Sequence, residues 1–215
     1  MREIKVVRQI MEWNEDCHNE LHNELNDKKV LMLNVMGSPG GGKTTLITRL
    51  IEKLKDKNKI GVIEADLAGI IDAEKMAAMN IPVVQLDTAG ACHIEAMSIK
   101  NILPEFNLEA LDIIFVENIG NLVCPAEFNI GEDLKIAILS IPEGDDKVEK
   151  YPLMFAKANA LVLTKHDLVQ YFKFDVNRVI KNAKALNEDI EIFMVNSETG
   201  EGILEVVSYL NKYLK

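Results

Sequence analysis

Short apolar runs alternate with amphipathic stretches along most of the chain. Seven runs of five to seven residues, rich in Val, Ile and Leu, are almost continuously hydrophobic, which is typical of strands buried on both faces. They predict strands at residues 30–36, 59–65, 81–86, 111–117, 134–140, 160–164 and 191–196. Apolar side chains at helical spacing predict helices at about 43–56, 70–79, 92–102, 147–158, 175–187 and 201–214. The alternation predicts an α/β fold, a mostly parallel sheet of about seven strands flanked by helices on both faces.

The first 27 residues follow a different pattern. Their apolar side chains recur near helical spacing, with acids and amides between them, and predict one amphipathic helix. These side chains are Ile4, Val7, Ile10, Met11, Trp13, Cys17, Leu21 and Leu25. We therefore divide the chain into an N-terminal helical extension, residues 1–29, and an α/β domain, residues 30–215.

The same helix carries a small group of possible metal ligands, Cys17, His18 and His22. His18 and His22 are four residues apart and would share one helix face. The interpretation that we favour is an exposed polar face beside a core cysteine, and a metal site is the alternative.

Composition narrows the class of partner. The 215 residues include 24 basic and 34 acidic side chains, a formal net charge of −10. A nucleic-acid binder normally presents a basic face, so this balance argues against one. Three scattered cysteines are too few for a disulfide framework, which predicts a reducing compartment. With no bilayer-length apolar run and no signal-peptide pattern, we expect a cytoplasmic chain with no membrane partner.

The first predicted strand runs into a glycine-rich segment that precedes a predicted helix. The segment matches the pattern GxxxxGK(S/T) and comprises Gly37, Ser38, Pro39, Gly40, Gly41, Gly42, Lys43, Thr44 and Thr45. Glycines allow a tight turn whose backbone N–H groups point at phosphate oxygens. We expect Lys43 to reach the β- and γ-phosphates and the Thr44 hydroxyl to bind Mg²⁺. The segment therefore predicts a nucleoside triphosphate site.

Two later segments indicate which base is bound. Thr164, Lys165, His166 and Asp167 follow the sixth predicted strand and resemble the NKxD signature of GTP-binding proteins, with Thr164 in place of asparagine. The aspartate of that signature accepts hydrogen bonds from guanine N1–H and the 2-amino group, a donor pair that adenine lacks. The loop that contains Ser197, after the last strand, resembles the guanine-side loop of the same proteins. GTP is therefore favoured over ATP.

Acids at strand ends supply candidates for magnesium binding and water activation. Asp66 follows the second predicted strand and Asp72 lies six residues further on, at the sheet edge where nucleotide and Mg²⁺ meet. Glu117 begins an E-x-x-G version of the usual D-x-x-G, in which the Gly120 amide would sense the γ-phosphate. A helix N-cap or a solvated strand end is the alternative for each acid. We assign catalysis to Lys43, Asp66 and Glu117, and magnesium binding to Thr44, Asp66, Asp72 and Glu117.

The remaining thiols lie close to these segments in sequence. Cys92 and His93 follow the third strand, and Cys124 follows the E-x-x-G segment. Thiolate and imidazole are ligands that Zn²⁺ and Ni²⁺ prefer. A closed structural zinc site needs four ligands. Three ligands therefore predict an open site or one completed across a dimer, and inert core cysteines are the alternative.

Four segments together, GSPGGGKTTL, GACHIEA, FVENIGNLVCPAEF and the TKHD loop, resemble the HypB family of nickel-incorporation GTPases. The resemblance covers about residues 30–215 and implies a GTPase of the signal-recognition/MinD/BioD class that dimerises with GTP. It implies that Cys92, His93 and Cys124 bind zinc or nickel, and that nickel is delivered to hydrogenase large-subunit precursors with a nickel-binding partner of the HypA type. The N-terminal CxxCGC motif or histidine-rich tract of many family members is absent from this sequence.

These features lead to the hypothesis of a GTP-driven metallochaperone with slow intrinsic turnover, since no arginine finger or glutamine follows the E-x-x-G segment. One alternative is a small P-loop kinase, although such enzymes usually clamp the phosphoryl group with several arginines and this chain has only Arg2, Arg8, Arg49 and Arg178. The other is a GTP-dependent dimerisation switch whose zinc is purely structural.

Overall fold

The computed structural model describes residues 6–65, 79–88 and 90–214. Their strands are β1 Leu31–Gly37, β2 Ile60–Glu64, β3 Val83–Gln85, β4 Ile113–Gly120, β5 Leu134–Ser140, β6 Ala160–Thr164 and β7 Glu191–Val195. All seven predicted strands are therefore confirmed, with bounds that shift by at most three residues.

The helices also follow the predicted order. Within the described ranges the α-helices are α1 Val6–Asp27, α2 Lys43–Leu54, α3 Ala96–Ile102, α4 Cys124–Glu127, α5 Lys147–Lys150, α6 Pro152–Lys157, α7 Val176–Leu186 and α8 Ile203–Leu210. Short 3₁₀ segments occupy Leu103–Glu105, Leu108–Ala110, Ile141–Glu143 and His166–Tyr171. Asp66, Asp72 and nearly all of the helix predicted at 70–79 lie outside the described residues.

Two helix predictions need correction. A single helix at 147–158 is wrong, because the chain breaks into α5 and α6 at Tyr151, whose backbone (φ −128°, ψ 55°) is not helical. Pro152 follows, and a proline disfavours helical backbone in the residue before it. The helix predicted from residue 92 begins only at Ala96.

The sheet is parallel throughout, in the order β3-β2-β4-β1-β5-β6-β7. Strand β1 lies at its centre, between β4 and β5, and every residue of β1 is buried. The chain fills one side of β1 up to β4 and then crosses to β5 on the other side. In parallel sheets, ligands bind beyond the carboxyl ends of the strands at such a switch in order. The loops after β1 and β4 are therefore the expected site.

Side chains that alternate along the strands build the apolar layers on the two faces. The face covered by α2 and α8 includes Leu33, Leu50, Phe115, Ile138 and Val206. On the other face, Met32, Ile63 and Ile114 of the strands pack with Ile99 of α3 and with α1, and Leu139 and Leu161 of the strands pack with Phe155 of α6 and Val179 of α7.

Helix α1 packs on the sheet through Cys17, Leu21 and Leu25, which are all buried. The core position that we favoured for Cys17 is therefore confirmed. His18 Nδ1 accepts a hydrogen bond from the backbone N–H of Gly131 at 2.8 Å, which leaves that nitrogen unsuited to a metal. Among the described helices, none combines the length and the hydropathy that a membrane span requires.

Candidate functional site

The predicted phosphate loop joins the end of β1 to the start of α2. Gly40 and Gly42 have φ values of 72° and 96°, a left-handed backbone that glycine adopts without a steric penalty. Lys43 is buried, and its Nζ lies 3.1 Å from the Ser38 carbonyl oxygen and 3.4 Å from that of Gly37. The ammonium group is thus held over the loop, where backbone N–H groups and the N-terminus of α2 favour an anion.

Thr44 and Glu117 meet at the base of this loop. The Thr44 hydroxyl donates to Glu117 Oε1 at 2.7 Å, and Glu117 is only 1% exposed. Glu64, which the sequence analysis did not assign, is equally buried and is in register with Glu117 across β2 and β4. Hydroxyl and carboxylate oxygens are the ligands that Mg²⁺ prefers. The pair Thr44 and Glu117 therefore fits the predicted magnesium site, and Asp66 and Asp72 lie outside the described residues.

The end of β4 packs directly against the phosphate loop. A Cβ atom added to Gly120 would lie 2.7 Å from Pro39 Cγ and 2.8 Å from Pro39 N, closer than carbon atoms pack. Gly37 and Gly120 are opposite each other in the β1–β4 pairing, and the Asn121 N–H donates to the Gly37 carbonyl at 3.1 Å. Only glycine fits at position 120, so the phosphate loop and the end of β4 are in direct backbone contact.

The residues expected to bind guanine line one cavity of about 210 Å³ beside the phosphate loop. Lys165, Asp167 and Ser197 all contribute to its wall, together with Thr45 of the phosphate loop. Ser197 is 8% exposed and its buried Oγ has no hydrogen-bond partner among the described residues, so a polar ligand atom would satisfy it. A larger cavity of about 580 Å³ lies at the amino ends of β2 and β4 and contains none of the predicted residues.

Two side chains tie the guanine cavity to the phosphate loop. Thr164, which replaces the usual asparagine, donates its hydroxyl to the Gly41 carbonyl at 2.6 Å and is 2% exposed. Arg49, on α2, donates through Nε to the Ser197 carbonyl at 2.7 Å and through Nη2 to the Glu198 carbonyl at 3.2 Å. This contact of Arg49 could not be predicted from the sequence, because no local motif indicates a partner 148 residues away.

Cys92, His93 and Cys124 come together as the sequence predicts. The two sulfurs lie 3.2 Å apart, Cys92 Sγ is 3.5 Å from His93 Nδ1, and the three donors all lie within 4.8 Å of one another. Among the described residues this is the one group of three such ligands. Sulfur and imidazole nitrogen suit zinc or nickel, so the donor set fits either metal.

The surroundings of these donors orient them. The His93 ring stacks on Phe128 with centroids 3.9 Å apart, and its Nε2 lies 3.6 Å from a Glu95 carboxylate oxygen. At that distance the carboxylate makes no hydrogen bond to the ring, so the stacking on Phe128 orients the imidazole. The neighbouring Cys92 thiol, together with burial, raises the pKa of Cys124 above its ordinary value. Cys92 itself is exposed, so the group is open to solvent on one side.

The chain is similar to a described protein family and to several proteins of known role or structure. Residues 31–194 match the family described as CobW/HypB/UreG, nucleotide-binding domain. The hydrogenase maturation factor HypB of Escherichia coli K12 is 43% identical over 183 residues, which cover 85% of this chain but 63% of that protein. HypB from Archaeoglobus fulgidus gives a TM-score of 0.90 at 32% identity, over 95% of this chain and 100% of that one. HypB from Helicobacter pylori, in complex with nickel, gives 0.85 at 35% identity, over 94% and 97%.

Proposed function

The chain belongs to the CobW/HypB/UreG family of nucleotide-binding domains, on its HypB branch, and from this premise we propose that it is a GTP-hydrolysing metallochaperone that assists nickel insertion into nickel–iron hydrogenase. One observation carries the proposal. Cys124 is joined to the phosphate loop by a short segment, since it follows Glu117 by seven residues and Gly120 packs on Pro39 between them, and Cys92 and His93 lie within 4.8 Å of Cys124.

GTP is the proposed substrate. Lys43 and the backbone N–H groups of the loop would hold the β- and γ-phosphates, and Gly120 would sense the γ-phosphate. Asp167 would accept from the guanine N1–H and 2-amino group, while Lys165 packs along the base and Ser197 offers a further polar contact. The cavity that these three residues line supports this placement.

Hydrolysis is proposed to depend on Mg²⁺ held by Thr44, Glu117, Asp66 and Asp72. When bound, the ion neutralises charge that develops on the phosphates. Glu117 and Asp66 are the candidates to orient the attacking water. Because no arginine finger or glutamine follows the E-x-x-G segment, we expect turnover by the isolated chain to be slow.

Nickel is the proposed cargo, and zinc is the competing occupant of the same donors. Cys92, His93 and Cys124 supply three ligands, whereas a closed structural zinc site has four. An open position, or one filled by a second copy, allows exchange. We propose that the protein dimerises when GTP is bound and passes nickel toward the hydrogenase large-subunit precursor with a nickel-binding partner of the HypA type. A cytoplasmic location without membrane or nucleic-acid partners remains part of the proposal.

The proposal is tested by measuring Ni²⁺ affinity and stoichiometry with GDP and with a non-hydrolysable GTP analogue, alongside phosphate release from GTP. We expect slow, Mg²⁺-dependent phosphate release and a difference in Ni²⁺ affinity between the two nucleotide forms. Indistinguishable affinity and stoichiometry would overturn the coupling, and a phosphorylated small-molecule product would instead indicate a kinase.

A further inference from the structure

Asn121, the first residue after β4, bonds to the backbone of two distant segments and to the backbone of its own loop. Its own N–H donates to the carbonyl of Gly37 in the phosphate loop at 3.1 Å. Its side-chain Nδ2 donates to the Cys92 carbonyl at 3.1 Å, and its Oδ1 accepts from the Val123 N–H at 2.8 Å. One residue therefore joins the phosphate loop to both segments that carry metal ligands.

On the nucleotide side, Asn121 donates its backbone hydrogen bond to a carbonyl that also accepts from Lys43 of the phosphate loop. The Gly37 oxygen lies 3.4 Å from the Lys43 ammonium as well as 3.1 Å from the Asn121 nitrogen. Gly120, immediately before Asn121, is wedged against Pro39. A shift of the loop that follows phosphate binding or loss would therefore act on Asn121 through two contacts.

On the metal side, the two hydrogen bonds of the Asn121 side-chain amide set the spacing of the metal ligands. The Cys92 carbonyl belongs to the peptide that joins Cys92 to His93, and the Val123 N–H lies one residue before Cys124. With both held by one planar amide, the two sulfurs come within 3.2 Å of each other. Because hydrogen bonds are directional, a displacement of the planar Asn121 amide would displace both ligand segments.

We propose that Asn121 is a positioning residue that couples the phosphate loop to the metal ligands, an inference that rests on the proposed function. It holds the backbones of both ligand segments and is not itself a ligand, because its amide oxygen is taken by Val123. In a chain without its amide, the nucleotide site and the metal donors would both persist, but their mutual influence would be lost.

Two substitutions separate the contacts. Asn121→Ala removes both side-chain bonds. Asn121→Asp has nearly the same shape and keeps the acceptor for Val123, but it places a carboxylate oxygen against the Cys92 carbonyl. Asn182→Ala is the matched control, since that half-buried asparagine also bonds across elements, from α7 to Glu149 of α5, at 2.7 Å.

The test uses the full chain and the metal ions Ni²⁺ and Zn²⁺. Metal affinity is measured by chelator competition in the GDP form and in the form with a non-hydrolysable GTP analogue. Affinity for a fluorescent GDP analogue without metal and the Tm are measured in parallel. For the wild type we expect the two metal affinities to differ within the range of about 5- to 150-fold that is typical of coupled sites.

In both Asn121 variants we expect that ratio to fall to about one, while metal-free nucleotide affinity stays within about twofold of the wild type. Asn182→Ala should keep the wild-type ratio. If the metal affinity of the wild type differs between the two nucleotide forms and both Asn121 variants keep that difference, the inference is wrong while the proposed function stands. If the wild type binds metal equally tightly in the two nucleotide forms, the proposed function fails and the inference fails with it.

Discussion

Gly120 is the position at which the contact between β4 and the phosphate loop can be tested most directly. In Gly120→Ala the new methyl carbon would lie 2.7 Å from Pro39 Cγ, about 0.8 Å inside the distance at which carbon atoms pack. Overpacking of this kind costs about 1–3 kcal/mol. The pairing of Gly120 with Gly37 holds the strand end in place, so we expect the phosphate loop to move.

Nucleotide binding requires the native conformation of the phosphate loop. Restoring that conformation in Gly120→Ala costs free energy, so the affinity for nucleotide falls. The same 1–3 kcal/mol corresponds to a loss of about 5- to 150-fold in nucleotide affinity. The assay is a titration with a fluorescent GDP analogue, with unfolding in urea measured on the same protein. We expect both nucleotide affinity and the free energy of unfolding to fall.

Gly131→Ala is the matched control. Its Cβ would lie 2.8 Å from Leu21 Cβ of α1, and its φ of +98° adds backbone strain, so it should cost at least as much stability. Since this clash does not involve the phosphate loop, nucleotide affinity should stay within about twofold. The reasoning is refuted if Gly120→Ala binds nucleotide as tightly as the wild type, or if Gly131→Ala loses as much affinity.

Three further predictions concern the guanine cavity, the metal donors and α1. Asp167→Ala should weaken binding of a fluorescent GDP analogue by about 10- to 150-fold, because a charged hydrogen bond contributes about 1.5–3 kcal/mol; equal affinity for GDP and ADP analogues in the wild type would contradict the guanine assignment. Cys92→Ala should lose bound metal, measured by elemental analysis, while the Tm moves by only a few degrees; a collapse of Tm would instead indicate structural zinc. Asn14 is buried, accepts a hydrogen bond from the Ala96 N–H at 2.8 Å and donates one to the Asn129 carbonyl at 2.7 Å. Asn14→Leu should lower the free energy of unfolding in urea by about 2 kcal/mol or more, because two backbone groups lose their partners. A loss below about 0.5 kcal/mol would show that water replaces the amide.

The strands and the motif residues were predictable because their signals are local. Runs such as 134–140 and 160–164 are mostly apolar, and the structure places strands at those same residues. The phosphate loop is equally local, since its glycines and Lys43 follow one another in the chain. The break at Tyr151 and Pro152 could also have been read from the sequence, because proline rarely continues a helix.

The contacts that join the motifs were not predictable, because each depends on which distant segments the fold brings together. Asn121 looks like any polar loop residue until Cys92 is placed beside it, 29 residues away in sequence. Asn14 is likewise one of many amides on an amphipathic helix, and nothing near it in sequence indicates Ala96 as a partner. The segment FVENIGNLVCPAEF contains Asn121 but does not indicate what Asn121 contacts, and Asn14 belongs to no motif, so only the assembled fold identifies these contacts.

The contact of Arg49 with the Ser197 loop has a consequence for the geometry of the proposed nucleotide site. Lys43 and Thr44 begin α2, and Arg49 lies further along the same helix, with two of its donors on the carbonyls of Ser197 and Glu198. One helix therefore sets the distance between the phosphate loop and the Ser197 loop. Under the proposed function, the two ends of one nucleotide would therefore meet two loops whose separation is set by α2 and not by the nucleotide.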